Sequence, residues 1–191
     1  MTMIYVILVL IAVLVFWFIA LRNRIITNEN ATQRAWADVA SFERQKVKIL
    51  DDLQPLLDRY GEFENTTMTQ VSALRQNILN LNQDRQDVAQ LEQIEQQTKD
   101  LMRGIHVQVE AYPELKANEL YQKVMHEITE QNENVGAAIN IFNRNVEQFN
   151  NDIQIFPNSL VNSLSLNRRA IRPFRDRAAN EAFEYRPNFN N

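Results

Sequence analysis

Residues 1–21, MTMIYVILVLIAVLVFWFIAL, are apolar almost throughout and carry no charged side chain. As a helix rising about 1.5 Å per residue, Met3 to Leu21 spans roughly 28 Å, close to the thickness of a bilayer core. Tyr5 and Trp17 stand near its two ends, where amphipathic rings favour membrane interfaces. No polar face interrupts the run, which argues against the core helix of a soluble bundle. A cleaved signal peptide would carry a basic start and small residues at a cleavage site. Here no Lys or Arg precedes the run, and its end, FWFIAL, is bulky. The reading is an uncleaved single-pass transmembrane anchor. Arg22 and Arg24 follow it directly, and basic flanks are usually cytoplasmic. The amino terminus is therefore expected outside, with the following domain in the cytoplasm at the inner membrane.

Beyond the anchor the pattern becomes helical. Ile25, Thr32, Trp36, Val39, Phe42, Val47, Leu50, Leu53 and Leu57 fall mostly at three- and four-residue steps. No Gly or Pro occurs from Arg22 to Gln54, so the anchor can run straight into this helix, with a kink expected at Pro55 and an end at Gly61. A second helix is predicted over Asn65 to Leu81, with Met68, Val71, Leu74, Ile78 and Leu81 on one stripe. After a break near Asn80–Gln83, a third is predicted over Asp84 to Glu110, with Val88, Leu91, Ile94, Thr98, Leu101, Ile105 and Val109. Gly104 inside it costs about 1 kcal/mol relative to Ala, and is either tolerated or admits a close neighbour.

The stretch YPELKAN, residues 112–118, punctuates the chain. Pro113 pushes Tyr112 out of the helical region, and Asn118 with Glu119 suits a new start. A fourth helix is predicted from there to about Ile155, ended by Pro157. Its apolar positions are Tyr121, Met125, Ile128, Val135, Ile139, Phe142, Val146, Phe149, Ile153 and Phe156, with Asn132 as the polar member of the series. Alternating steps of three and four make a packing seam. Trp36, Tyr112 and Pro113 join that seam as expected structural positions. Asn143 and Asn150 lie off the seam and are read as solvated. The organisation expected is an anchor over 1–24, an all-α bundle of about four helices over 25–157, and a loosely ordered tail over 158–191.

Charge divides along the same lines. Residues 29–157 hold 12 basic and 21 acidic side chains, whereas the tail from Asn158 holds six Arg and three acids. Five of those arginines are Arg168, Arg169, Arg172, Arg175 and Arg177. Anionic lipid headgroups attract such segments. Docking on the acidic bundle and plain solvation are the competing readings. The net charge of −4 does not suggest a nucleic-acid binder, and Phe174, Phe183 and Tyr185 among the arginines do not change that.

Catalytic chemistry is not legible. With no Cys, thiolate and Cys-zinc chemistry are excluded. The two histidines, His106 and His126, follow Arg103 and Lys123 at the position where a di-iron bundle needs Glu. HEITE at 126–130 ends in Glu130 and is not a zinc-protease motif. Three isolated Gly cannot build a phosphate loop, and Ser159, Ser163 and Ser165 lack a positioned base. Carboxylate pairs such as Glu92/Glu95 and Asp51/Asp52 are usual on solvated helix faces. No cofactor or metal is expected, and the chain reads as a non-enzyme.

Several pieces together suggest a family. AYPELKAN at 111–118, the EITEQNENVGAAI run at 127–139, FNRNVEQFN at 142–150, FPNSLV at 156–161 and AWADV at 35–39 resemble the LemA family of bacterial membrane-anchored proteins. RPF at 172–174 adds to the likeness, which covers about residues 20–175. One stretch departs: ERQKVKILDDL lacks the basic pair and the Pro usual there, with Asp51 and Asp52 in place of Pro and Asn. A partner that binds this segment in the family would be lost or changed. The resemblance implies a single-pass anchor, an elongated antiparallel helical bundle and no established catalysis. The function expected is a membrane-anchored scaffold or adaptor that self-assembles, with the lipid bilayer as first partner. The alternative is an accessory or regulatory subunit of another membrane protein, such as a protease, transporter or sensor. A hydrolase with an unrecognised site is the third class.

The seam reading makes a direct prediction. Phe149→Asp places a charge among apolar side chains and abolishes the cooperative thermal transition of the part after the anchor. A transition unchanged in circular dichroism would defeat the seam.

Overall fold

The computed structural model describes residues 1–59 and 65–176, and the described residues form helices and no strand. Helix α1 runs unbroken over Thr2–Arg59, so the apolar span and the first amphipathic segment are one helix. Pro55 lies inside it, near its carboxyl end. Gly61, expected to stop this helix, lies outside the described residues. Helices α2 (Asn65–Leu79) and α3 (Val88–Val109) follow, then the single turn α4 (Pro113–Lys116) and the long α5 (Glu119–Gln154). A short α6 (Asn158–Val161) passes into a π-helical turn over Asn162–Leu166.

The loop between α2 and α3 is longer than the pattern predicted, because two side chains claim the local amides. Asn82 Oδ1 accepts from the backbone N–H of Asp84 and Arg85 at 2.7 and 3.1 Å. Asp87 then caps α3 by accepting from the amide of Gln90 at 3.0 Å, which moves the start from Asp84 to Val88. Asn118 does the same for α5, accepting from Leu120 and Tyr121. Pro113 occupies the first turn of α4, where its missing N–H costs nothing. At Gly104 an added Cβ would meet only Gln70 Oε1, at the ordinary contact distance of 3.9 Å. Close approach therefore does not require this glycine.

The chain divides into two units. One comprises Met1–Ala35 and Asn140–Pro173. In it the first half of α1 packs on the end of α5 around Ile25, Phe149, Ile153 and Val161, with Phe18, Leu21, Leu166 and Ile171 against them. The two helices are antiparallel here: Arg24 and Asn28 reach Asp152, and Asn145 Nδ2 donates to the Ala31 carbonyl, further along α1, at 3.2 Å. The other comprises Trp36–Ile139 and the described residues of Phe174–Asn191. Its core includes Trp36, Leu50, Leu53, Leu74, Ile78, Leu91, Ile105 and Ile128, all essentially inaccessible. Trp36 Nε1 donates to the Asn82 carbonyl at 2.9 Å and Arg44 to that of Leu81 at 3.2 Å, so α1 takes up the loop's free acceptors.

The tail is bound over its first part. Residues 158–166 are helical, and no regular element follows among the described residues. Asn167 turns the chain with a φ of 49°, the left-handed region that Asn tolerates. Asn162 brackets the turn, donating to the Arg168 carbonyl at 3.0 Å and accepting from its amide at 2.8 Å. Asn150, read from sequence as solvated, instead holds Ile171 in a two-way clasp. Its Nδ2 donates to the Ile171 carbonyl at 2.8 Å and its Oδ1 accepts the Ile171 amide at 2.9 Å. A side-chain amide satisfies both backbone groups of one residue, which pins an extended strap without a sheet.

Asn150→Leu removes that clasp while leaving the Asn162 bracket in place. Amide exchange at Ile171 is expected to accelerate by at least about tenfold, the loss of roughly one net hydrogen bond or more. Exchange at Arg168 is expected to stay within experimental scatter; equal acceleration at both would show that the two fastenings are not separate.

Candidate functional site

The predicted seam residues are buried along most of α5. Tyr121, Ile128, Val135, Ile139, Phe142, Val146, Phe149 and Ile153 are all within the core of their own unit. The series stops there. Phe156 is 73% exposed, because α5 ends at Gln154 and the turn at Pro157 carries the side chain off the seam. Tyr112 is half-buried and Pro113 exposed, so this corner is filled by Leu115 instead. The anchor residues Met3, Tyr5 and Trp17 are exposed in the structure, whereas Leu21 is half-buried where the tail packs on it.

On α1 the seam takes a course that apolarity alone did not trace. Trp36, Val39, Leu50, Leu53 and Leu57 are buried, and between them Ala40 and Val47 are joined in the core by Glu43 and Lys46, with Phe42 only half-buried. The steps 36, 39, 43, 46, 50, 53 and 57 alternate three and four without a fault. A charged pair thus occupies two consecutive core positions. Lys46 Nζ lies 3.1 Å from Glu95 Oε1 on α3 and 3.2 Å from Glu43 Oε2, and donates to Thr98 Oγ1 at 3.4 Å. Thr98 in turn donates to the Ile94 carbonyl at 2.9 Å, so its oxygen lone pairs face the ammonium.

Burial pushes the Glu43 carboxyl up to about 8. Lys46 opposes that shift, and the neighbouring Glu95, by charge and by hydrogen bonding, adds to it. At neutral pH Glu43 therefore holds a proton, and the cluster reduces to one ammonium against one carboxylate. This is the cheapest state for three ionisable groups inside a core, since an uncompensated buried charge costs several kcal/mol. The Glu43 and Lys46 side chains are wholly inaccessible, so nothing in bulk solvent reaches this proton directly. The arrangement suits fixing the register of α1 against α3 better than turning over a substrate.

A second buried carboxylate lies in the other unit. Asp152, 5% exposed, receives Arg24 through Nε at 3.2 Å and Nη2 at 3.0 Å, Asn158 at 3.2 Å and Asn28. Four donors from α1 and α6 converge on one side chain of α5, directly below the apolar span. Of the tail arginines, Arg168 is exposed and pairs with Glu29 of α1 at 3.0 Å. Arg169, Arg172 and Arg175 are exposed, and Arg177 lies outside the described residues. Arg22 is exposed. Asp152 escaped sequence reading because it sits among asparagines beside a seam position; its signal was adjacency to Ile153, with Arg24 and Asn28 one turn apart on α1.

The remaining surface offers open depressions. One, of about 800 Å³, is lined on α5 by Asn140, Asn143, Arg144, Glu147, Asn150 and Gln154, and by Pro173 of the tail. It is a polar trough, without a buried nucleophile. His106 and His126 are both exposed. Among the described residues no three His, Asp or Glu side chains are grouped to hold a metal ion.

Residues 35–182 match the sequence model of the LemA family. The Protein LemA of Metamycoplasma hominis is 26% identical over 162 residues, which is 84% of this chain and 73% of that protein.

The Glu43 proton makes stability depend on pH. Unfolded, the carboxyl ionises near 4.5; folded, near 8. Between those values the folded chain binds one proton more than the unfolded chain, so stability falls as pH rises. The contribution is complete below the window and gone above it. Glu43→Gln keeps the neutral shape and is expected to flatten this part of the slope in thermal unfolding at pH 5, 6.5 and 8. Parallel slopes in wild type and variant would place the proton elsewhere.

Proposed function

This chain belongs to the LemA family, and from that premise we propose that it works as a membrane-anchored, non-enzymatic scaffold or adaptor. One observation carries the reading. The first part of α1 is apolar enough to cross a membrane and none of that window is buried by the rest of the chain. An apolar surface of this size needs a cover, and a bilayer supplies one of matching thickness. The same helix then enters two packed cores, so the tether is part of the fold and not an appended leader. Arg22, Arg24, Arg168 and Arg169 collect just past the span, which favours a cytoplasmic bundle with the amino terminus outside, at the inner membrane.

Accessibility supports the non-enzymatic part of the reading. The most perturbed ionisable group, Glu43, is sealed, and the trough of about 800 Å³ on α5 is lined mainly by carboxamides, with Arg144 and Glu147. What such a body offers a partner is surface: long helical faces rich in carboxylates and carboxamides. Self-association through those faces is the form of scaffold proposed.

A second reading has its own support. Phe16 is 76% exposed and Trp17 48%, side by side near the end of the span. Large rings at that level suit packing against another transmembrane helix as well as lipid, which would make the chain an accessory or regulatory subunit of a membrane protein.

The mass and composition of the complex extracted in mild detergent at native expression decide between them. A defined homo-oligomer of this chain alone is the expected result. A fixed ratio with one other membrane protein would replace the scaffold by the subunit. Recovery in the soluble fraction without detergent would overturn both.

A further inference from the structure

The stretch that follows α5 has two faces. Val161 and Asn162 are buried, and Val161 joins the cluster of Ile25, Phe149 and Ile153. On the other side Ile155, Phe156, Leu160 and Leu164 are exposed by 60%, 73%, 51% and 71%. Leu160 and Leu164 stand four residues apart within the helical stretch 158–166, which keeps them on one side, and Ile155 and Phe156 lie in the turn just before it. Four large apolar side chains in one short hook are more than scattered surface hydrophobics.

The position of the hook along α1 says what covers them. The cluster that fastens it also holds Phe18 and Leu21, the last apolar turn before Arg22. Phe18 lies about 5 Å inside the end of the span at Leu21, and Ile25 about 6 Å beyond it, by helical rise. The hook is therefore clamped to α1 at the level where the chain leaves the hydrocarbon. Arg22 and Arg169, both exposed, provide cations at the same end of this unit. Apolar side chains beside basic ones, at that depth, match the boundary between acyl chains and anionic headgroups.

We propose that residues 155–166 form an interfacial wedge. The wedge inserts Ile155, Phe156, Leu160 and Leu164 into the headgroup–acyl boundary of the bilayer that α1 spans. Arg22 and Arg169 bind anionic headgroups beside it. This rests on the anchor reading and extends it: the chain meets the membrane at two points, a span and a wedge, and Asp152 with its four donors braces one to the other. The Asp152 brace fixes the angle at which α5 leaves the surface.

The chain contains no cysteine, so single labels can be placed at will. Spin labels go on Leu160→Cys and Leu164→Cys in the full chain, reconstituted in phosphatidylethanolamine–phosphatidylglycerol vesicles. Ile11→Cys reports the span. Ile141→Cys, an exposed apolar position of the same unit about 21 Å before Ile155 along α5, reports water. Collision with oxygen and with a water-soluble nickel chelate is measured at each site. The expected result is oxygen above nickel at 160 and 164, the same sense as at 11 and reversed from 141. Nickel above oxygen at 160 and 164, with 11 still lipid-facing, overturns the wedge and spares the anchor. Shielding from both agents at 160 and 164 marks a protein contact, a second copy or a partner, and overturns it as well. Nickel access at 11 overturns the anchor reading together with the wedge.

Discussion

A stripe of side chains at alternating steps of three and four, carried by two long helices, is the constraint on which the rest of the structure depends. On α5 it runs from Tyr121 to Ile153, and on α1 its clearest stretch runs from Trp36 to Leu57. The asparagines around the α5 stripe are poor helix formers, so burial of the stripe, not intrinsic propensity, holds the helix. A fully buried large aliphatic or aromatic side chain contributes about 1.5–3 kcal/mol. Phe142, Val146 and Phe149 in one unit, and Trp36, Leu50 and Leu53 in the other, are each essentially inaccessible. Losing the stripe would leave neither unit with a core.

Polar insertions then set what an apolar stripe cannot: which partner, and in which register. Leu, Ile and Val tolerate a slip by one heptad; a buried ammonium does not, because it must find its carboxylates. Lys46 meets Glu43 on its own helix and Glu95 on α3 within 3.2 Å. Asp152 does the same for α1, α5 and α6 with Arg24, Asn28 and Asn158. Gln131, also buried, donates to the Phe42 carbonyl at 2.7 Å and adds a further tie between α5 and α1. Each insertion costs solvation and returns uniqueness of pairing. Their chemistry differs in one respect. The Lys46 cluster lowers its cost by retaining a proton on Glu43, while Asp152 is surrounded by donors.

Helix identity and the long apolar run that opens α1 were legible because they depend on runs and periods, which local sequence records directly. The break after α2 was placed correctly but its length was not, since Asn82 and Asp87 act through side-chain hydrogen bonds that a hydropathy pattern does not register. On α1 the reading followed Phe42, which is only half-buried, because it is apolar, and passed over Glu43 and Lys46, which hold the regular spacing. Strict periodicity weighed above hydropathy would have found them. Asn150 was assigned to solvent because nothing in sequence links it to Ile171, 21 residues on. Phe156 shows the reverse error: spacing continued past the point where Pro157 turned the chain.

The stretch in which this chain departs from its family's pattern, ERQKVKILDDL, divides in the structure into two chemically different halves. Glu43 and Lys46 face inward, and Lys46 carries charge pairing with Glu95 of α3 into the seam. Asp51 and Asp52 face outward, and Asp51 already engages Arg75 of α2 at 2.6 Å. A buried Lys46 depends on Glu95 and Thr98 opposite it, so these positions of α1 and α3 act as one cluster. The outward half presents two carboxylates, Asp51 and Asp52, where the family resemblance has Pro and Asn. A partner that reads this segment would meet added negative charge here, whereas the Asp152 cluster is built from a different part of the chain.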